Sequence, residues 1–498
     1  MNVNPITRLD YPDPDVIRVE DTYYMVSTTM HFMPGCEILQ SFDLVHWEHV
    51  TYVYETLDHT DAQQLKSGQN IYGQGMWAAS LRYHEGRFCI CFVANDTRKT
   101  YLYTSEKIDG PWKKQLIEGF YHDGSLLFDE DGRSYIVYGN DEIWITELNE
   151  DLTAPKKDGL HRLLVSDHKN PELGYEGSHI QKINGYYYIF LVHSLRDRWM
   201  RTEACFYSDS LEGEFTGGDV LCDDRGYCGQ GVAQGGIVDT PDGKWYAMLF
   251  QDSGAVGRIP ILLPVTWKDH FPVFGQNGHV PEEIEVHSTR PGYIYQPLVG
   301  SDDFCNGLLP RWQFNHDPDP RYYHLDALQG TYTITTREVC TELTQAVNTL
   351  TQRMSYPSCA AEVTVDASAL KEGDVAGLCA LQGCYAAVGI TKHHGKYEVL
   401  MLDKKEDGIL DMTEGTVVES HQMDFRLEAD FCNMKDEARC YYRVNKGDWL
   451  PIGTVHKLYF KLDHFTGCRF GLFCYAAEET GGSACFRDFK YYDVDEIS

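Results

Sequence analysis

The chain has 498 residues, 43% hydrophobic and 24% charged, with a formal charge of -32. That length exceeds what one hydrophobic core supports, so two domains are expected. The acidity excludes nucleic acid and the anionic face of a membrane as partners and disfavours a polyanionic substrate, which leaves a neutral small molecule.

The opening MNVNPITRLDYPDPDV has neither the basic nor the apolar region of a signal peptide, and no run of about 18 apolar residues follows. The 16 cysteines are scattered without CxxC or Cys/His spacing, so reduced core thiols in a cytosolic chain are expected. Helix-period stretches are scarce, and short aromatic and β-branched runs bounded by Gly, Asp or Asn predict an all-β protein.

One hairpin signature recurs five times before residue 260: EDTYYMVST at Glu20, EGRFCICFV at Glu85, DGRSYIVYG at Asp131, NGYYYIFLV at Asn184 and DGKWYAMLF at Asp242. Spacings of roughly 45 to 65 residues suit one four-stranded blade per copy, so residues 1–298 are expected to form a five-bladed β-propeller. Past the fifth copy, a stretch rich in Gly, Pro and acids, GQNGHVPEEIEVHSTRPGYIYQPLVGSDDF, reads as a connection. Alternation resumes in TYTITT, AAEVTVD, YEVLML, KLYFKL and RFGLFCYA, which predicts a β-sandwich over residues 299–498.

Counting back seven or eight residues from each hairpin turn lands on Asp13, Trp77, Asp123, Glu176 and Gln234. The strand nearest a propeller axis comes first in each blade, so this register aims side chains from different blades into one funnel. Three carboxylates there serve no purpose in folding, since like charges repel and push at least one pKa upward. Hydrolysis of a glycosidic bond, by contrast, needs one carboxylic acid and one carboxylate. Taken singly, Asp13 between prolines in YPDPDV is a turn residue, and Asp123 in YHDGSLLF or Glu176 in YEGSHI a solvated loop acid; their shared register favours a site.

The segments NPITRLDYPDPDVIRVEDTYYMVSTTMHFMPG, GMWAASLRYHEGRF, HDGSLLFDEDGRSYIVYG, YEGSHIQKINGYYYIF and VDTPDGKWYAMLF resemble, in order and spacing, glycoside hydrolase family 43, the β-xylosidases and α-L-arabinofuranosidases built on a five-bladed propeller. The resemblance implies an inverting enzyme with Asp13 as general base, Glu176 as general acid and Asp123 orienting the acid and raising its pKa. It also implies that Trp77 stacks on the terminal sugar and that Arg258 in AVGRIPIL binds sugar hydroxyls and the acids. Gln234 stands where many relatives carry an axial histidine linked to calcium or water, which counts against a metal on the axis; no cofactor is expected. Met30 in TTMHFMPG stands where relatives often place a Phe under the sugar, with Phe32 beside it. The C-terminal half resembles the concanavalin-like sandwich attached to many members, in some of which a loop closes the funnel, and Phe465 in DHFTGCRF is the candidate that reaches over it.

The expected substrate is a short xylo-oligosaccharide, trimmed from its non-reducing end, with α-L-arabinofuranosidase or dual activity as the alternative. A homo-oligomer is compatible with the sequence. Two further readings are a carbohydrate-binding propeller without catalysis, which has no reason to keep three acids, and a retaining hydrolase of the fructan type, which needs its carboxyl groups closer together.

Overall fold

In the computed structural model, which describes residues 2–413 and 415–493, five four-stranded antiparallel sheets are followed by two larger sheets packed face to face. Blade one comprises Asp15–Val19, Thr22–Ser27, Gly35–Ser41 and Glu48–Tyr54, and blade two Met76–His84, Arg87–Ala94, Lys99–Ser105 and Lys113–Ile117. Blade three comprises Ser125–Phe128, Ser134–Asn140, Glu142–Leu148 and His161–Ser166; blade four Glu176–Ile183, Tyr186–Ser194, Arg201–Ser208 and Thr216–Leu221; blade five Val232–Asp239, Trp245–Asp252, Arg258–Lys268 and Phe271–Phe274. Each of the five sequence copies forms the first hairpin of its blade.

A blade cannot bury its own faces, and the packing follows from that. Every neighbouring pair of blades shares a buried apolar cluster: Val26 and Phe92 between one and two, Leu102 and Ile136 between two and three, Val137 and Leu191 between three and four, Phe190 and Leu249 between four and five, Met25 and Met248 between five and one. The ring is closed by residues 4–11, which lie along Arg258–Lys268. There the Asn4 amide exchanges two bonds with the Leu262 backbone at 2.7 and 2.8 Å, and the Tyr11 N–H donates to the Arg258 carbonyl at 3.0 Å. Near the axis Arg82 donates to the Asp15 carboxylate at 2.8 Å, Ser125 Oγ at 2.7 Å and the Leu126 and Ile180 carbonyls at 2.8 and 3.2 Å, tying blade two to blades one, three and four.

In the sandwich, strands with one face on the core bury alternate residues; in Gln422–Asp430 these are Met423, Phe425, Leu427 and Ala429. Asp374–Leu381 is buried along its whole length, because its second face is covered by Cys340, Leu343 and Ala346. The segment KLYFKL, expected as a strand, is not one: pairing stops at Lys457. Leu458 enters the sandwich core, and Phe460 is used at the propeller mouth instead. The connection after blade five runs back over blade one, where Arg290 pairs with Asp21 at 2.9 and 3.1 Å. Among the described residues no helix is long and apolar enough to cross a membrane.

The two domains share a sheet. Phe32–Met33, inserted in blade one, pairs with Gln313–Asn315 as the edge of the larger sandwich sheet. Beside it Glu37 meets Arg353 at 2.8 Å and His49 Nδ1 at 3.0 Å, all within the seam. Burial works against the Glu37 carboxylate, yet Arg353 and His49 hold its pKa down at about 2. A pKa lowered by folding stabilises fully above the ordinary carboxylate value, and the gain is lost as pH falls toward about 2. Arg353→Met should therefore lower stability at pH 7 by about 3–5 kcal/mol, since it leaves a buried charge uncompensated. Adding Glu37→Gln should recover part of that loss in denaturant melts; strictly additive losses would contradict the pairing.

Candidate active site

The innermost strand of each blade is entered through a residue with left-handed or near-left-handed backbone: Asp13 (φ 52°), Ala78 (φ 20°), Asp123 (φ 48°), Gly177 (φ 64°) and Gln234 (φ 64°). These five line a small axial cavity with Ala79, Gly124, Ser178 and His179, with room for about one water molecule. The shared register expected from the sequence therefore splits. Asp13, Asp123 and Gln234 occupy one structural place, whereas Trp77 and Glu176 stand one residue upstream of it, ahead of a bulge in their strands. Counting from the turns missed this because bulges and turn lengths differ between blades. The consequence is chemical: the Asp13 and Asp123 residues are 6% exposed, while the Glu176 side chain, at 18%, stands nearer solvent.

Gly177 makes room for the cluster. A Cβ there would lie 2.7 Å from Gln234 Cγ, and its N–H donates to Asp123 Oδ2 at 3.0 Å, so one residue links Glu176, Asp123 and Gln234. Asp13 accepts from Arg258 Nη1 at 3.0 Å and from the Thr28 hydroxyl at 2.6 Å, and Thr28 Oγ1 accepts the Ala78 N–H at 2.8 Å. Glu176 Oε2 accepts from Asn140 Nδ2 at 2.7 Å. His122 Nε2 sits 3.6 Å from Asp123 and 3.5 Å from Glu176. Among the described residues these three are the imidazole and carboxylate group whose ligand-type atoms lie within 4.8 Å of one another.

Burial pushes the Asp123 carboxyl up to about 6; His122 opposes the shift, and the Glu176 and Asp13 carboxylates add to it. The Asp123 carboxylate in turn holds His122 protonated up to about 9 against its own burial. Arg201, buried and paired with Asp252 at 3.0 Å, is a further cation whose charge is favoured by Glu176 and Asp13. The site thus holds three acids, three cations and a proton that leaves near pH 6. Carboxyl groups close enough to influence one another's protons are the setting for paired acid and base chemistry.

Phe465 comes from the sandwich. Its ring packs 5.6 Å from Trp77 and lies under the Arg258 guanidinium at 4.2 Å, with Phe460 5.6 Å behind it. The loop is fixed by Asp10, whose Oδ1 accepts the Arg258 N–H and Oδ2 the Gly467 N–H, both at 2.8 Å. Gly467 is required at that contact, since a Cβ would fall 2.2 Å from the Val256 carbonyl oxygen. Among the described residues, Arg258 Nε and Nη2 and Trp77 Nε1 have no hydrogen-bond partner, leaving donors beside the carboxylates.

The structure brings Asp13, Asp123, Glu176, Gln234, Trp77, Arg258 and Phe465 together. It places Phe32 elsewhere: the ring is wholly buried in the domain seam with the Arg469 guanidinium 3.5 Å from its centre, because strand pairing with Gln313–Asn315 draws it there. Met30 is 2% exposed and pairs by backbone with Met76, beside Trp77. Sequence reasoning missed His122, Asn140, Arg201, Thr28 and Asp10. Adjacency to Asp123 in YHDGS was the available signal for His122; Thr28, Asn140 and Arg201 are distant in sequence from the acids they touch, and Asp10 acts on the backbone of Arg258 and Gly467, far from it in the chain.

Two family models divide the chain. The one described as glycosyl hydrolases family 43 matches residues 3–272, and the one described as the β-xylosidase C-terminal concanavalin A-like domain matches residues 301–492. The chain belongs to glycoside hydrolase family 43. A β-xylosidase of Formosa agariphila is 26% identical over 99% of this chain and 89% of that one, and a xylosidase/arabinosidase of Butyrivibrio fibrisolvens is 23% identical over 99% of both. Among solved structures, a bifunctional GH43-CE protein of Bacteroides eggerthii superposes with a TM-score of 0.92 at 42% identity, covering 98% of this chain; this chain spans 63% of that protein. The family 43 member therefore is a glycoside hydrolase with the propeller and concanavalin-like sandwich expected from its sequence.

Gly177→Ala should cut kcat/KM on an aryl glycoside by at least about tenfold, a change of about 1.4 kcal/mol, because the new methyl must displace Gln234 and with it the Asp123–Glu176 spacing. Gln234→Ala in the same chain should restore part of the rate. Unchanged kinetics for the single variant would contradict the packing.

Proposed function

We propose that this enzyme is an inverting exo-β-xylosidase that removes terminal β-1,4-xylosyl residues from short xylo-oligosaccharides. The observation that carries the reading is the pairing of a buried Asp13, fixed by Arg258 and Thr28, with a more exposed Glu176 across one mouth capped by Phe465. Asp13 takes a proton from water as that water attacks the anomeric carbon. Glu176 protonates the departing glycosidic oxygen, and the C–O bond breaks with inversion. Asp123 orients the acid through the Gly177 N–H and shares the cluster's proton up to about 6. Trp77 and Phe465 supply apolar ring faces to the sugar, Gln234 borders its deep side, and the free donors of Arg258 meet its hydroxyls.

Closure by Phe460 and Phe465 favours removal of a single terminal sugar over cleavage within a polymer. α-L-Arabinofuranosidase or dual activity is the second reading, since relatives carry both names, among them a non-reducing end α-L-arabinofuranosidase of Bacteroides ovatus at 25% identity over 66% of this chain. Both proton transfers are assigned to side chains, so no cofactor is invoked. The sixteen free cysteines, most of them buried, support action in a reducing, cytosolic compartment on imported oligosaccharides.

Asp13→Asn should abolish turnover of every substrate, because water activation is needed whatever leaves. Glu176→Gln should slow xylobiose by about 10²–10⁴-fold while sparing aryl xylosides with good leaving groups. Steady-state rates on both substrates check this; near-normal activity of Asp13→Asn would contradict the assignment. Dialysis against EDTA should leave the wild-type rate unchanged, and a loss restored by calcium would place a metal in the reaction.

A further inference from the structure

We propose that His122 is a positioning residue for the proton donor: its imidazolium, set between Asp123 and Glu176, steadies the Glu176 carboxylate formed when the proton departs. This inference rests on the reading of Glu176 as general acid.

The His122 backbone is fixed by its carbonyl, which accepts the Gly139 N–H at 3.0 Å, and its ring lies 6.1 Å from that of Trp77. Its Nε2 is sealed from water and makes no hydrogen bond among the described residues, although Asp123 and Glu176 oxygens lie 3.6 and 3.5 Å away. Leaving a buried donor unsatisfied is costly, so a residue kept in this state is poised for a partner that strengthens during the reaction. The ionisable groups facing it are the carboxyl groups of Asp123, Glu176 and, further off, Asp13; Arg258 is bonded to Asp13 and Arg201 to Asp252. Among the described residues His122 is thus the one cation within 4.0 Å of Glu176.

The two oxygens of Glu176 are in unlike surroundings. Oε2 accepts from Asn140 and faces His122, while Oε1 has no donor among the described residues and is the oxygen free to carry the transferable proton. That proton passes from Oε1 to the glycosidic oxygen as the C–O bond breaks; His122 keeps its own. Charge then appears on Glu176, and a contact of 3.5 Å can shorten toward the 2.7–2.9 Å usual for a charge-assisted bond. A contact that tightens as charge develops stabilises the transition state more than the ground state. It matters most when the leaving group is a sugar alcohol, which needs full protonation, and least for an activated phenol.

The test compares His122→Phe with wild type and Glu176→Gln in the full chain, on xylobiose and on nitrophenyl β-xyloside. His122→Phe should lower kcat on xylobiose by about tenfold more than on the nitrophenyl substrate. It should also move the alkaline limb of kcat/KM for xylobiose to higher pH, since a donor deprived of its neighbouring cation is a weaker acid. His122→Asn, neutral and polar, should give the same split and serves where the Phe variant fails to fold. Equal losses on both substrates, or an unmoved alkaline limb, would overturn the inference. If Glu176→Gln itself shows no difference between the substrates, the acid assignment fails; if it does and the His122 variants do not, only the role of His122 falls.

Discussion

Three carboxylates drawn to one propeller mouth are the constraint that the rest of the site answers. Each would cost several kcal/mol if buried uncompensated. The compensation is spread over elements far apart in sequence: Arg258 and Thr28 on Asp13, the Gly177 N–H on Asp123, Asn140 on Glu176, and His122 between the last two. Burial pushes the Asp123 carboxyl up despite these partners, with the Glu176 and Asp13 carboxylates adding to the shift, and Asp123 keeps a proton to about 6. Chemistry that must both give and take a proton depends on such incomplete compensation.

The mouth is a product of both domains. The Asp10 carboxylate receives one N–H from blade five and one from the sandwich loop, so a single side chain fixes Arg258 and sets Phe465 beside Trp77. The loop is held from the other side as well, where the Gln382 amide donates to the Ala255 and Thr466 carbonyls at 2.9 and 3.2 Å. Together with the shared strand at Phe32–Met33, these contacts make the sandwich part of the candidate site's wall and not an independent appendage.

Much of this was legible in the sequence, for physical reasons. A propeller repeats one hairpin because each blade needs the same packing on both sides, and the repeat located all five innermost strands and the acids at their heads. What the repeat could not give was register at one-residue resolution, because bulges after Trp77, Glu176 and Ala233 shift the count without changing composition. KLYFKL failed as a strand for a related reason: alternating apolar residues look the same whether they face one core or are divided between a core and a domain seam. Phe32 was misplaced because a two-residue strand inserted in another domain leaves no periodic signal. His122 lay in plain view next to Asp123, but its significance depends on Glu176, contributed by a different blade.

The most direct test of the paired roles proposed for Asp13 and Glu176 is time-resolved proton NMR of hydrolysis of an aryl β-xyloside, with the aryl α-L-arabinofuranoside alongside. Water activated by Asp13 on the face opposite the Glu176 donor must release α-xylose first, with the β anomer growing in only by mutarotation. Release of β-xylose first would mean a covalent intermediate and a different role for Asp13, and turnover of neither sugar would contradict the substrate assignment.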